Sequence, residues 1–202
     1  RERHCKHCLT QTHVNKDTGE ETTRYYHNVL EAKIVLGENL VVSIGTEFIE
    51  NPDYPMTKQD CETKAFKRLS TKLKKAFPRL PICIMGDSLY ASSPVFSICK
   101  DNKWEYLIRF KDGSIPSVAS EFHMLKDREK DTQKDTIKWV NEIYYRNQKV
   151  NVMEFILRDK KKETRFQWIT SLKITRKKAK HFVTAGRKRW MIENQGFNIQ
   201  KN

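Results

Sequence analysis

No stretch of this 202-residue chain approaches the ~20 consecutive apolar residues that a membrane helix needs. No basic amphipathic helix carries a continuous aromatic face, so a membrane-surface role is not expected either. An apolar leader is missing: the chain opens Arg-Glu-Arg-His, and no secretory route is expected. Acids are few, with 25 Asp and Glu against 39 Lys and Arg and a formal net charge of +14. That imbalance argues for a polyanionic partner, nucleic acid before membrane. Five cysteines cannot all pair, and in a Lys-rich chain without a leader they are expected as reduced thiols or metal ligands. The compartment expected is cytoplasmic or nuclear. Hydrophobic residues make up only 38%, yet ten Phe, seven Tyr and four Trp can fill a core. The length suits one core with room for an inserted subdomain.

What is present begins with possible metal ligands. Cys5-Lys-His-Cys8 is a C-x2-C knuckle of the kind zinc binds through thiolates and imidazoles. A second C-x2-C is absent, which leaves half a site; Cys61 and His13 are the candidates to complete it. The alternative is a loop with buried thiols and solvated histidines. Asn15-Lys-Asp-Thr-Gly19 is turn chemistry. Thr22 to Leu36 and Leu40 to Ile49, joined through Gly37-Glu-Asn39, read as two long antiparallel strands. Thr57-Lys-Gln-Asp60 resembles a capping box ahead of a helix. That helix lines Cys61, Ala65, Leu69, Leu73, Ala76 and Phe77 along one face and carries Lys64, Lys67 and Arg68 on others.

The chemistry centres on Leu80-Pro-Ile-Cys-Ile-Met-Gly-Asp-Ser-Leu-Tyr-Ala91. Ile82 to Met85 read as a strand buried in the middle of a sheet, with Asp87 at its C-terminal end. Ser92 and Ser93 can cap a helix that has Pro94 in its first turn, and Trp104 to Phe110 form the next strand. Open α/β sheets place their chemistry at such strand ends. The plain alternative is that Asp87 only caps a turn. From Lys111 to about Lys134 the chain reads as charged and less ordered. Thr136–Tyr145, Lys149–Arg158 and Glu163–Ile174 then read as an antiparallel meander. The last stretch is a basic helix capped by Thr175, carrying Lys177, Lys178, Arg187, Lys188 and Arg189, with Glu193 following Arg189 by four. Gly186 within it costs about 1 kcal/mol relative to Ala, which suggests a break or a close neighbour there.

The order of these pieces resembles the ribonuclease-H-like catalytic core of insertion-sequence transposases of the Asp-Asp-Glu type. The subgroup it resembles has a Tyr-Arg-Glu-Lys signature and a β-rich insertion. Gly86-Asp87-Ser-Leu-Tyr-Ala91 matches the second acid, and Ala185-Gly-Arg-Lys-Arg-Trp-Met-Ile-Glu-Asn-Gln-Gly-Phe-Asn198 matches the third. Gly186 stands in place of the signature Tyr and Gln200 in place of its Lys, with Lys201 one residue late.

The resemblance implies an α/β fold: a ribonuclease-H-like mixed sheet flanked by helices, residues 1–111 and 166–202, with a β-rich insertion at 112–165. It implies DNA strand cleavage and joining, with Asp87 and Glu193 holding two Mg²⁺ or Mn²⁺ ions and Arg189 assisting. Lys64, Arg68, Lys177, Lys178, Arg187, Lys188 and Lys201 would contact DNA. The partner implied is double-stranded DNA at transposon ends, bound by a homodimer in the nucleoid or nucleus. The family's first Asp precedes the C-x2-C stretch, so the chain is expected to be a fragment of low activity. The competing expectations are an inactive nucleic-acid-binding domain with the same fold and a small zinc-stabilised regulatory protein.

Overall fold

Turn chemistry at Asn15 sets the first hairpin. The Asn15 side-chain oxygen accepts the Asp17 N–H at 2.9 Å, and Gly19 takes a φ of +72°, open to glycine without steric cost. The turn joins β1 (Leu9–Val14) to β2 (Glu21–Tyr26), antiparallel from Leu9↔Tyr26 to Val14↔Glu21. The computed structural model describes residues 5–37, 40–51, 58–126, 136–159 and 162–191. It divides into two compact units, residues 1–36 with 42–78, and residues 37–41 with 79–202.

In the first unit, β3 (Asn28–Leu36) and β4 (Leu40–Ile49) form a second two-stranded sheet. The single strand expected over Thr22–Leu36 is broken at His27, where β2 stops. β1 was not anticipated, because Leu9-Thr-Gln-Thr-His-Val14 has an apolar residue only at each end. Helix α1 (Glu62–Ala76) buries Ala65, Leu69 and Leu73 of the expected face together with Phe66 and Ser70, while Cys61 and Ala76 at its ends are exposed. Its N-cap is Cys61, with no side-chain cap, and Thr57 lies outside the described residues. Ala65 packs with Leu9 and Ile49, flanked by Tyr26 and Leu30.

In the second unit, β5 (Cys83–Gly86), α2 (Ser93–Asn102) and β6 (Glu105–Arg109) make a parallel strand–helix–strand unit. Then come α3 (Pro116–Leu125), β7 (Ile137–Tyr145), β8 (Gln148–Asp159), β9 (Lys162–Thr170) and α4 (Ala179–Met191). The five strands form one mixed sheet in the order β5-β6-β9-β8-β7. Two readings change here. β5 pairs only with β6 among the described residues, so it borders the sheet rather than lying in its middle. α3 occupies the passage expected to be less ordered; Pro116 opens it, and Val118, Ala119 and Phe122 bury one face. The meander expected within an insertion at 112–165 is β7–β9, which continues the same sheet from β6.

Strand alternation assigns the two faces of this sheet. Leu107, Met153 and Trp168 face α4, packing with Ala179, Phe182 and Val183. Tyr106 faces the other way and stacks on Phe96 of α2, ring centroids 4.5 Å apart. Glu154 on that side meets Lys126, just beyond α3, at 3.0 Å. No helix among the described residues is long and apolar enough to cross a membrane.

Candidate functional site

Pro81 and Gly86 bracket the short strand that delivers Asp87. A Cβ on Gly86 would come within 3.1 Å of Tyr90 Cδ2 and 3.2 Å of Tyr90 Cγ, a tight fit against the Tyr90 side chain that folds back over the strand end. Asp87 is extended (φ −79°, ψ −176°), and its Oδ1 accepts the Leu89 N–H at 2.9 Å, capping the 3-10 turn Ser88–Tyr90. The turn-capping role considered from sequence is therefore real. It uses one lone pair of one carboxylate oxygen.

Because Gly86 pairs with Ile108, Asp87 and Arg109 leave the sheet at the same end. Arg109 donates to the Arg165 carbonyl at 3.1 Å and lies 4.9 Å over the Phe166 ring and 5.7 Å from that of Trp168. Burial pushes its guanidinium below the ordinary arginine value, and the neighbouring charge of Arg189 pushes it further. Arg187 lies 5.7 Å from the same Phe166 ring. The C-terminal half of α4 thus brings its arginines to the strand end that carries Asp87. Desolvated cations held beside one another are stabilised by a bound anion. Sequence reading missed Arg109, Phe166 and Trp168. Their shared signal is parity: Arg109 follows Leu107 on the α4 face.

Glu193 and Lys201 lie outside the described residues. Lys177 and Lys178 are exposed ahead of α4, and Lys188 donates to the Gly37 carbonyl at 2.9 Å. In the first unit, exposed Lys64 donates to the Gln59 carbonyl at 3.3 Å. Arg68 turns to its own unit: its guanidinium bonds Asp60, Glu47 and the Phe48 carbonyl.

Gly186 explains why α4 can sit so close to β9. A Cβ there would overlap Trp168 Nε1 and lie 2.5 Å from Trp168 Cε2, and Trp168 is only 2% exposed. Gly186→Ala is expected to destabilise the protein by up to about 2 kcal/mol, because a packing penalty of ~1–3 kcal/mol is set against the ~1 kcal/mol gained in helix propensity. Chemical denaturation checks it; a more stable variant would refute the close packing.

Cys5 and Cys8 do come together, but with His27 rather than His13 or Cys61. The two sulfurs are 3.6 Å apart, and each lies 3.4 Å from His27 Nε2. The register explains the choice: Leu9 pairs with Tyr26, so the next residues outward are Cys8 and His27. His13 is carried away along β1. Cys99 differs in kind, being a core residue of α2 whose thiol burial pushes up to about 12.

A cavity of about 300 Å³ lies beside Arg109, lined also by Lys111, Asp112, His123, Glu154 and Arg165. His123 and Asp112, both in its wall, are paired with each other at 3.0 Å. Among the described residues, no third acid, His or Cys gathers with Asp87 into a ligand cluster.

A family model described as the transposase DDE domain matches residues 41–195. No curated protein matches the chain.

Proposed function

The chain belongs to the transposase DDE-domain family, and on that premise we propose that it carries out metal-dependent cleavage and joining of double-stranded DNA at transposon ends. Asp87 and Glu193 are its metal-holding acids. The observation that supports this reading is that Arg187 of α4 and Arg109 of β6 both lie against the Phe166 ring, and Arg109 leaves the sheet at the same end as Asp87. Glu193 follows Arg189 by four residues in the sequence. Carboxylate oxygens suit Mg²⁺ or Mn²⁺, and among the described residues Asp87 gives one lone pair to the Leu89 N–H, so the residue present fits such an ion. When bound, divalent ions would supply charge stabilisation at the phosphate and a nucleophile active at neutral pH.

The chain's own cations do the positioning. Arg109, held in orientation by Phe166 and Trp168, would present its guanidinium to a phosphate oxygen, with Arg187 and Arg189 on neighbouring phosphates. Lys177 and Lys178 would add non-specific attraction, which falls steeply with salt.

Titrating Mn²⁺ into the 202-residue protein, followed by electron paramagnetic resonance, tests the assignment. Asp87→Asn and Glu193→Gln are each expected to weaken Mn²⁺ binding by at least about tenfold, about 1.4 kcal/mol. Unchanged Mn²⁺ binding in Asp87→Asn would sink the site. A second reading, a DNA-binding domain without cleavage, is favoured by the absence of a third ligand beside Asp87 among the described residues. Salt-sensitive DNA binding with no Mn²⁺-dependent nicking of supercoiled plasmid would select it.

A further inference from the structure

We propose that Cys5, Cys8 and His27 bind a zinc ion that ties the chain's first turn to the junction of β2 and β3. Around a tetrahedral zinc with Zn–S of about 2.3 Å and Zn–N of about 2.0–2.1 Å, two sulfurs should stand about 3.7–3.8 Å apart and a sulfur and a nitrogen about 3.5–3.6 Å. The three edges are 3.6 Å for Sγ to Sγ and 3.4 Å for each Sγ to Nε2. Three donors thus form one face of a tetrahedron of the right size, leaving the fourth position to water or another donor.

The chemistry of the set is equally selective. Two thiolates and an imidazole are soft to borderline ligands that suit zinc and disfavour Mg²⁺ or Ca²⁺. Two thiolates 3.6 Å apart repel each other unless a cation lies between them. The sulfurs stand well beyond the ~2.05 Å of a disulfide. The Cys5 N–H donates to Cys8 Sγ at 3.2 Å, and the Cys8 N–H to the Cys5 carbonyl at 3.2 Å, so the knuckle is already wound for chelation.

The surroundings hold the knuckle in place. The Asn51 side chain donates to the Cys8 carbonyl at 2.8 Å, and the Asn51 N–H to the His7 carbonyl at 3.0 Å. His7 Nδ1 lies 2.9 Å from the Asn51 carbonyl and so donates to it. Gln59 acts as a substitute strand partner for Thr10: its Oε1 accepts the Thr10 N–H at 2.7 Å and its Nε2 donates to the Thr10 carbonyl at 3.0 Å. One ion would therefore fasten a turn already bonded to the end of β4 and the approach to α1. Its role is structural.

The test is Co²⁺ titration into the reduced, metal-stripped full chain, with zinc content measured on the protein as purified. One equivalent of zinc is expected. Cobalt should give sulfur-to-metal charge-transfer bands and intense tetrahedral d–d bands, and zinc should bleach them. Cys5→Ser, Cys8→Ser and His27→Asn should each weaken binding by more than the ~10–100-fold that loss of an outer-shell partner costs. His13→Asn and Cys61→Ser should bind as the parent does. Should the ligand variants fail to fold, the parent titration still decides: absence of a cobalt spectrum in the reduced parent overturns the proposal. So would His27→Asn retaining full stoichiometry, or loss of the metal on Cys61→Ser.

Discussion

Replacing Lys126 by Met is expected to cost about 3–5 kcal/mol, the range for stranding one partner of a buried ion pair. Glu154 is 1% exposed. Its two oxygens are served by Lys126 Nζ at 3.0 Å and Gln167 Nε2 at 3.2 Å. Met fills the space of the lysine stem but brings no charge, so the carboxylate keeps its burial and loses its counterion. At ~2–4 °C per kcal/mol for a chain of this size, the melting transition should fall by about 10 °C. The double variant Lys126→Met with Glu154→Leu should recover most of that loss, since removing both charges removes the desolvation cost as well. A single variant as stable as the parent would mean that water reaches Glu154 and shares its charge. Damage here should also reach the proposed DNA surface. The Gln167 carbonyl accepts the Phe110 N–H at 2.9 Å, beside Arg109 and the ring of Phe166, so salt-sensitive DNA binding should weaken along with stability.

No sequence pattern announced that ion pair. Glu154 and Lys126 are 28 residues apart, and Val150 to Ile156 reads as an ordinary apolar strand interrupted by one acid. What could be read was periodic. The Ala65, Leu69 and Leu73 face of α1, the short run ending at Asp87 and the three alternating segments of β7–β9 all appear within a few residues of their expected bounds. Gly186 was legible as a place for a close neighbour, though not which one; Trp168 supplies it.

The misses have physical causes. Beyond its one buried residue, Leu9, β1 holds its place through main-chain pairing and Gln59, so hydrophobic alternation could not reveal it. α3 hid behind charged flanks, although Pro116 followed by Val118, Ala119 and Phe122 is a short helical pattern. β5 is apolar, yet Cys83 is exposed, Ile84 to Gly86 are only half-buried, and among the described residues the strand pairs only with β6, so a short apolar run marks neither a central place nor full burial. His27 was within reach: the turn at Asn15 fixes the hairpin register, and counting outward brings Cys8 opposite His27. Reading Thr22 to Leu36 as a single strand concealed it.

Arg68→Met should lower the stability of the first unit by about 2 kcal/mol and change how it responds to acid. Glu47 and Asp60 are 7% and 9% exposed, and the Arg68 guanidinium bridges them, with Lys72 also on Glu47. A fully buried pair would cost ~3–5 kcal/mol on losing one partner. The Arg68 side chain is 42% exposed, so solvent screening reduces the expected figure. Burial raises both carboxyl pKa values, but the hydrogen bonds from Lys72 and Arg68 on Glu47, and from Arg68 and the Cys61 N–H on Asp60, outweigh it and leave both below the usual carboxylate range. Asp60, Glu47 and their charges in turn raise the Arg68 pKa. A carboxylate whose pKa is depressed on folding contributes stability that is fully present above its unfolded value, about 4. That contribution is lost as pH falls through the lower, folded value. The parent should therefore lose stability progressively below about pH 4. Arg68→Met should lack most of that contribution at neutral pH and so show a shallower acid dependence. Urea unfolding at pH 7 and across pH 2–4.5 would check both halves. Parallel acid profiles for parent and variant would show that Arg68 does not hold these carboxylates, and would return it to the set of cations available to DNA.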